Sequence, residues 1–216
     1  MNRRNWMIQT LASLPLAGVP LGAWAQGPAP KAGEDYKVLQ RPAPVDAPAG
    51  VVEVVEFFWY SCPHCAAFEP ALAAWVKRLP AGVSFRRIPV AFSDTYAPQQ
   101  RLFYALQSLG LLEKLHERVF AAIHVERQRL VQPEAIADWV ARQGVDKAKF
   151  QEAFGSFGVN AQATRANQLM EAYRVEGVPA LGIAGRYYTD GAMTESMERV
   201  LAVADHLIQL ARAPRG

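Results

Sequence analysis

Residues 51–60, VVEVVEFFWY, form an almost unbroken apolar run. Its length and its β-branched and aromatic content predict a buried central strand, broken in character only by Glu53 and Glu56. Beyond it, Phe68, Leu72, Trp75 and Leu79 recur at spacings of a helix face. A helix is therefore expected from the CPHC tetrapeptide at 62–65 to about Leu79. Pro70 lies inside it and is expected to kink it, having no amide to donate. VSFRRIPVAF (83–92) reads as a second strand.

From about Pro98 to Arg174 the period becomes helical. Leu102, Leu106 and Leu109 mark one helix, and Leu111, Leu115, Val119 and Ile123 mark another. Pro133 at a first-turn position opens a third with Ile136 and Val140. Asp146 is a candidate N-cap for a fourth with Phe150 and Phe154. A fifth is expected over about Asn160–Arg174. ALGIA (180–184), a Gly-Arg turn and YYT (187–189) then read as a strand pair, followed by a helix over about Thr194–Ala211. The order is strand, helix, strand, a block of helices, a hairpin and a helix.

The beginning of the chain reads differently. Arg3 and Arg4 precede a mostly apolar, uncharged stretch that ends in Ala23-Trp24-Ala25. That is the layout of a cleavable secretory signal over residues 1–25, with a mature start at Gln26. Gln9, Pro15 and Pro20 interrupt the stretch and make it a poor membrane span. Residues 26–50, rich in Pro, Ala and Gly, are expected to form an extended arm. Of the formal net charge of +3, only +1 remains once Arg3 and Arg4 are set aside, so charge gives no argument for nucleic acid. With 51% hydrophobic residues, 216 residues suffice for one cored domain or a domain with an insertion. A monomer is expected.

The two cysteines of the chain, Cys62 and Cys65, flank Pro63 and His64. As a staple they would close a four-residue loop, worth only ~2 kcal/mol against ~4.7 kcal/mol for a loop of about 100 residues. As metal ligands they supply two of the four donors a structural zinc needs. His116 and His124 are eight residues apart on one expected helix, too far along its axis to share a metal directly, and read as ordinary surface or core histidines. His206 is the other candidate outside the motif. A c-type haem site needs His after the second cysteine, where Ala66 stands. Redox exchange fits the placement, because the pair follows a buried strand and opens a helix, whose free amides and dipole favour a thiolate. Cys62, the first, is expected to be the exposed nucleophile, and Cys65 the shielded resolving thiol. The dipole contributes at most ~2 kcal/mol, little more than one pKa unit, so His64 is expected to add stabilisation beside the sulfur. Pro63 removes an amide and stiffens the turn.

EFFWYSCPHC, followed by AAFEP and later GVPALGIAGRY, resembles the DsbA family of periplasmic thiol–disulfide oxidoreductases. The resemblance implies an α/β, thioredoxin-like fold built from 51–95 and 160–216, with an all-helical insertion over 96–159. It implies that Val178-Pro179 is a cis-proline dipeptide whose Val178 backbone binds an extended substrate chain. It implies that Glu56 is a buried acid beneath the cysteines. Independently, a Glu in an apolar central strand is costly unless partnered or protonated, which marks Glu56 as a candidate proton acceptor for Cys65. Arg87 falls where relatives often carry a lysine partner for that acid. Because arginine does not lose its proton, a lysine-type relay is not expected there. The implied partners are folding exported proteins with free cysteines and a quinone-linked membrane oxidase like DsbB. No metal and no cofactor other than the Cys62–Cys65 disulfide is implied. Thioredoxin proper would carry WCGPC, and an isomerase of the DsbC type would need a dimerisation domain longer than residues 26–50. An exported reductase or isomerase, and a peptide-binding module with an incidental cysteine pair, remain open as rival readings.

Overall fold

The computed structural model describes residues 29–213. The expected signal segment and cleavage point lie outside the described residues. Strand β2 (Val52–Phe58) is buried along its whole length and lies inside a five-stranded sheet. Its neighbours are β3 (Val83–Pro89), parallel to it, and β4 (Ala180–Ile183), antiparallel. β5 (Tyr187–Asp190) follows antiparallel to β4. The edge is β1 (Lys37–Val38), where the arm pairs with Tyr187 and Tyr188. The arm is thus partly a strand, which its Pro-rich composition did not suggest.

Helix α1 (Pro63–Val76) and helix α8 (Met197–Arg212) cover one face of the sheet. Phe68, Leu72 and Trp75 of α1 and Val200, Val203 and Leu207 of α8 pack on Val54, Leu181 and Ile183. The Trp75 indole donates to Asp205, tying the two helices together at 2.9 Å. Because strand residues alternate, Val55 and Phe57 face the other way. There they join a core shared with the helical block, α2 (Ala97–Ser108), α3 (Leu112–His124), α4 (Pro133–Arg142), α5 (Lys147–Gly155) and α6 (Phe157–Tyr173).

Several boundaries follow from local chemistry. Pro133 opens α4, and the Asp146 carboxylate caps α5 by accepting from the Lys149 amide. α6 begins earlier than expected because the Ser156 hydroxyl caps it, accepting from Val159 N–H. The last helix is split. Asp190 caps a single turn, α7 (Gly191–Thr194), and Glu195 then adopts φ 62°, which a continuing helix excludes. α1 runs through Pro70 but stops at Val76, short of Leu79. Both long strands are shorter than their apolar runs, because Trp59–Ser61 turn toward α1 and the second strand ends at Pro89.

Candidate active site

Cys62 is the N-cap of α1, with Pro63 in the first turn. Its sulfur accepts from the Cys65 amide at 3.4 Å, and its thiol lies 3.4 Å from the Val178 carbonyl. Both cysteines are free thiols. The Cys62 thiol is lowered from 9.0 to about 6. The largest cause is the hydrogen bond with the Cys65 thiol. The amides of Cys65 and His64 and the His64 charge add to it, against the cost of burial. That is far more than a helix dipole alone supplies. The Cys65 thiol moves the opposite way, driven up by burial first and by its bond to Cys62 second. One sulfur is built to lose its proton and the other to keep it.

Cys62 was expected to be the exposed thiol, yet it is only 6% exposed, against 1% for Cys65. The cause is tertiary. The Val178–Pro179 segment, joined by a cis peptide, lies against the sulfur, 116 residues away in sequence. A cleft of about 440 Å³ runs beside it, lined by His64, Val178, Pro179, Gly191 and Met197. His64 is exposed at its rim, and Pro63 is exposed beside it in the chain.

Glu56 stands directly across β2–β3 from Arg87, so the two side chains share a face. Arg87 Nε lies 3.2 Å from Glu56 Oε2, and Arg87 Nη2 donates to Glu69. Burial raises the Glu56 carboxyl to about 8, with Arg87 opposing and Glu69 reinforcing the shift. The Glu56 charge in turn helps hold Cys65 protonated. Arg87 is therefore a bridge between two buried acids rather than the partner of one.

Residues 53–202 match the family described as DSBA-like thioredoxin domain. The chain belongs to this family. It is 45% identical over 187 residues to the thiol:disulfide interchange protein DsbA of Burkholderia cepacia, covering 87% of this chain and 88% of the relative. The crystal structure of Pseudomonas aeruginosa DsbA superposes with a TM-score of 0.80 at 42% identity, over 84% of this chain and 94% of that one. That of the oxidoreductase DsbA from Xylella fastidiosa gives 0.79 at 33%, over 86% and 99%. Membership makes the chain a thiol:disulfide oxidoreductase with a thioredoxin-like α/β fold, and Cys62–Cys65 is the only cysteine pair in the sequence to serve it.

One residue of this DsbA-type site, Glu69, escaped the sequence reading, although a signal was present. Cys65, Phe68, Glu69 and Leu72 fall at i, i+3, i+4 and i+7, which puts an acid in the buried stripe of α1. His116, read as a surface or core histidine, is a core one, and it lies next to Glu69 and the turn before Cys62. It is buried on α3, with Nδ1 2.8 Å from the Tyr60 hydroxyl and Nε2 3.4 Å from Glu69 Oε2. His124 meets the Tyr60 carbonyl at 2.8 Å, and Gln99 bonds to the Ser61 hydroxyl. The turn leading into Cys62 is thus held by side chains of the helical block. No group of three or more His, Cys, Asp or Glu able to hold a metal occurs among the described residues.

Proposed function

We propose that the protein works outside the cytoplasm, in the periplasm, as a dithiol oxidase that hands its Cys62–Cys65 disulfide to folding exported proteins. The observation that carries this is the split between the two thiols at the start of α1, Cys62 at about 6 and Cys65 driven up by burial. An oxidant gains its force from a stabilised reduced form, and a low-pKa sulfur is a good leaving group. A thiol nearer 7 would suit the reductase reading.

In the proposed reaction a substrate thiolate attacks Cys62 Sγ of the disulfide. The S–S bond breaks, and the electron pair goes to Cys65. Cys65 takes up a proton, which Glu56 would supply while its carboxyl remains protonated, below about pH 8. A second substrate thiolate then attacks the substrate sulfur of the mixed disulfide, and Cys62 leaves as a thiolate. The substrate is oxidised by two electrons and the enzyme reduced by two. The backbone of Val178, ahead of Pro179, would hold the substrate strand along the cleft. A quinone-linked membrane oxidase like DsbB would restore the disulfide.

The deciding measurement is the redox equilibrium of the pair against glutathione, with thiolate absorbance followed against pH. An absorbance midpoint near pH 6 and ready reduction by glutathione are expected. A midpoint near 7 with a strongly reducing pair would favour the reductase, and undiminished client binding without either cysteine would favour a binding module. His64→Ala should raise the midpoint by about half a unit, because an exposed charge a few Å away contributes no more than ~1 kcal/mol.

The same shift sets a pH dependence of stability. The folded pKa of Cys62 lies below its unfolded value. Its stabilisation of the reduced form is therefore full above about pH 9 and is lost as pH falls toward 6. Oxidised protein has no thiol there, and Glu56 titrates in both forms. Urea unfolding of the two forms at pH 9, 7.5 and 6 should show the reduced form losing its advantage stepwise. A constant difference would contradict the low Cys62 pKa.

A further inference from the structure

A second hollow lies where β3, α2, α6 and the arm meet. It holds about 330 Å³ and shares no lining residue with the cleft beside Val178. That is the size of a small-molecule site. Ile88 of β3 and Ala166 and Leu169 of α6, all buried, give it an apolar side. The rest of its wall is polar, and two groups there have nothing to bond. Tyr104 of α2 is 6% exposed, and its hydroxyl has no hydrogen-bond partner among the described residues. A buried hydroxyl is normally partnered. The charges that reach this one are those of Arg86 and Asp46, which line the same hollow, so the hydroxyl is turned toward it. Burial pushes its pKa up, so it keeps its proton and can donate.

Arg165 of α6 is the other group. It is exposed on the same wall and meets no acid among the described residues. The two further arginines of the wall differ from it. Arg86 pairs with Asp46 at 3.1 Å and Glu53 at 3.2 Å, and Arg87 bridges Glu56 and Glu69. Acids of the protein answer their charges, and the charge of Arg165 is left over. We propose that this hollow binds a small organic carboxylate: its oxygens accept from the Arg165 guanidinium and the Tyr104 hydroxyl, and its apolar body lies on Ile88, Ala166 and Leu169. The class follows from the lining. Both free groups donate, which selects an acceptor, and one of them is charged, which selects an anion. A planar guanidinium matches a carboxylate in shape. A bare inorganic anion would leave the apolar side unused. The site stands apart from the exchange chemistry and does not depend on it.

Benzoate is the probe, since it joins a carboxylate to a ring. Titrated into the isotope-labelled protein and followed by NMR, it should bind saturably with a Kd in the mM range and shift the amides of Tyr104, Arg165 and Leu169. Arg165→Gln and Tyr104→Phe should each weaken it by about 5- to 10-fold, the share of one charge-assisted hydrogen bond that is partly exposed. Neither change should disturb the fold, because Arg165 is exposed and the Tyr104 hydroxyl holds no described partner. Benzamide has the shape without the charge and phosphate the charge without the ring, so each should bind at least about 5-fold more weakly than benzoate. Benzamide binding as tightly would overturn the recognition of a carboxylate. Phosphate binding as tightly would overturn the part given to the apolar side. An unchanged benzoate affinity in either variant, or shifts gathered around Val178 instead, would remove the site.

Discussion

Cys62→Ser removes dithiol oxidation down to the uncatalysed rate, whereas Cys65→Ser accumulates mixed disulfides with substrate. The two effects differ because the sulfurs are unequal. Cys62 caps α1, lies against the Val178 carbonyl and is lowered to about 6, which makes its sulfur the proposed point of both attack and departure. Cys65 lies a turn further in, buried, with its thiol driven up. Without it the enzyme has no disulfide to give, but the Cys62 thiolate can attack an activated substrate disulfide, which expels the activating group as a thiolate, and no second enzyme thiol is left to release the adduct. The check is a reduced peptide with two cysteines, its oxidation followed by mass spectrometry. Normal oxidation by the Cys62→Ser protein would sink the mechanism, as would an absence of trapped adducts with Cys65→Ser when it is given an activated substrate disulfide. Neither substitution should greatly change the fold, since serine keeps the volume within one atom and the N-cap position accepts a hydroxyl readily.

Gly182→Ala costs about 1–3 kcal/mol of stability, the usual penalty of overpacking a filled core. Gly182 lies in β4, three residues after Pro179. A Cβ there would overlap the Tyr173 ring and come within 2.8 Å of Val55 Cγ2. The ring cannot move aside cheaply. It packs edge-on against Phe57 at 5.2 Å, and its hydroxyl accepts from the Gly185 amide at 3.0 Å. At a few °C per kcal/mol for a chain of this size, the melting temperature should fall by roughly 2–10 °C. Unchanged thermal unfolding would show that the β4–α6 packing is looser than described.

Much of this was legible in one dimension. VVEVVEFF announces a strand buried on both faces, because no solvated strand face would carry so many apolar residues in succession. Pro133, Asp146 and Pro63 announce helix starts, because each acts on the backbone within one turn of itself. For the cysteine pair, the four-residue loop argued against a staple, two thiols argued against a zinc site, and the place after a buried strand at a helix start pointed to exchange. Glu56 was legible as a misfit, a carboxyl in an apolar strand.

What failed to appear is of another kind. β1 has two residues, too few for any period, and exists because the β5 edge offers it partners. Cys62 reads as exposed from its place at a helix start and is covered by a segment from the far end of the chain. His116 is 47 residues from Glu69 and 56 from Tyr60, and nothing near it in the chain sets it beside them. The sequence alone therefore determined the elements, the redox pair and the existence of a buried acid, all of which depend on neighbours within a turn or on strand alternation. Tertiary structure decided which way each thiol is shifted, that Arg87 bridges two buried acids and what covers Cys62. Those depend on desolvation and on charges a few Å apart, and such distances are fixed only when β2, β3, α1 and the helical block close around one another.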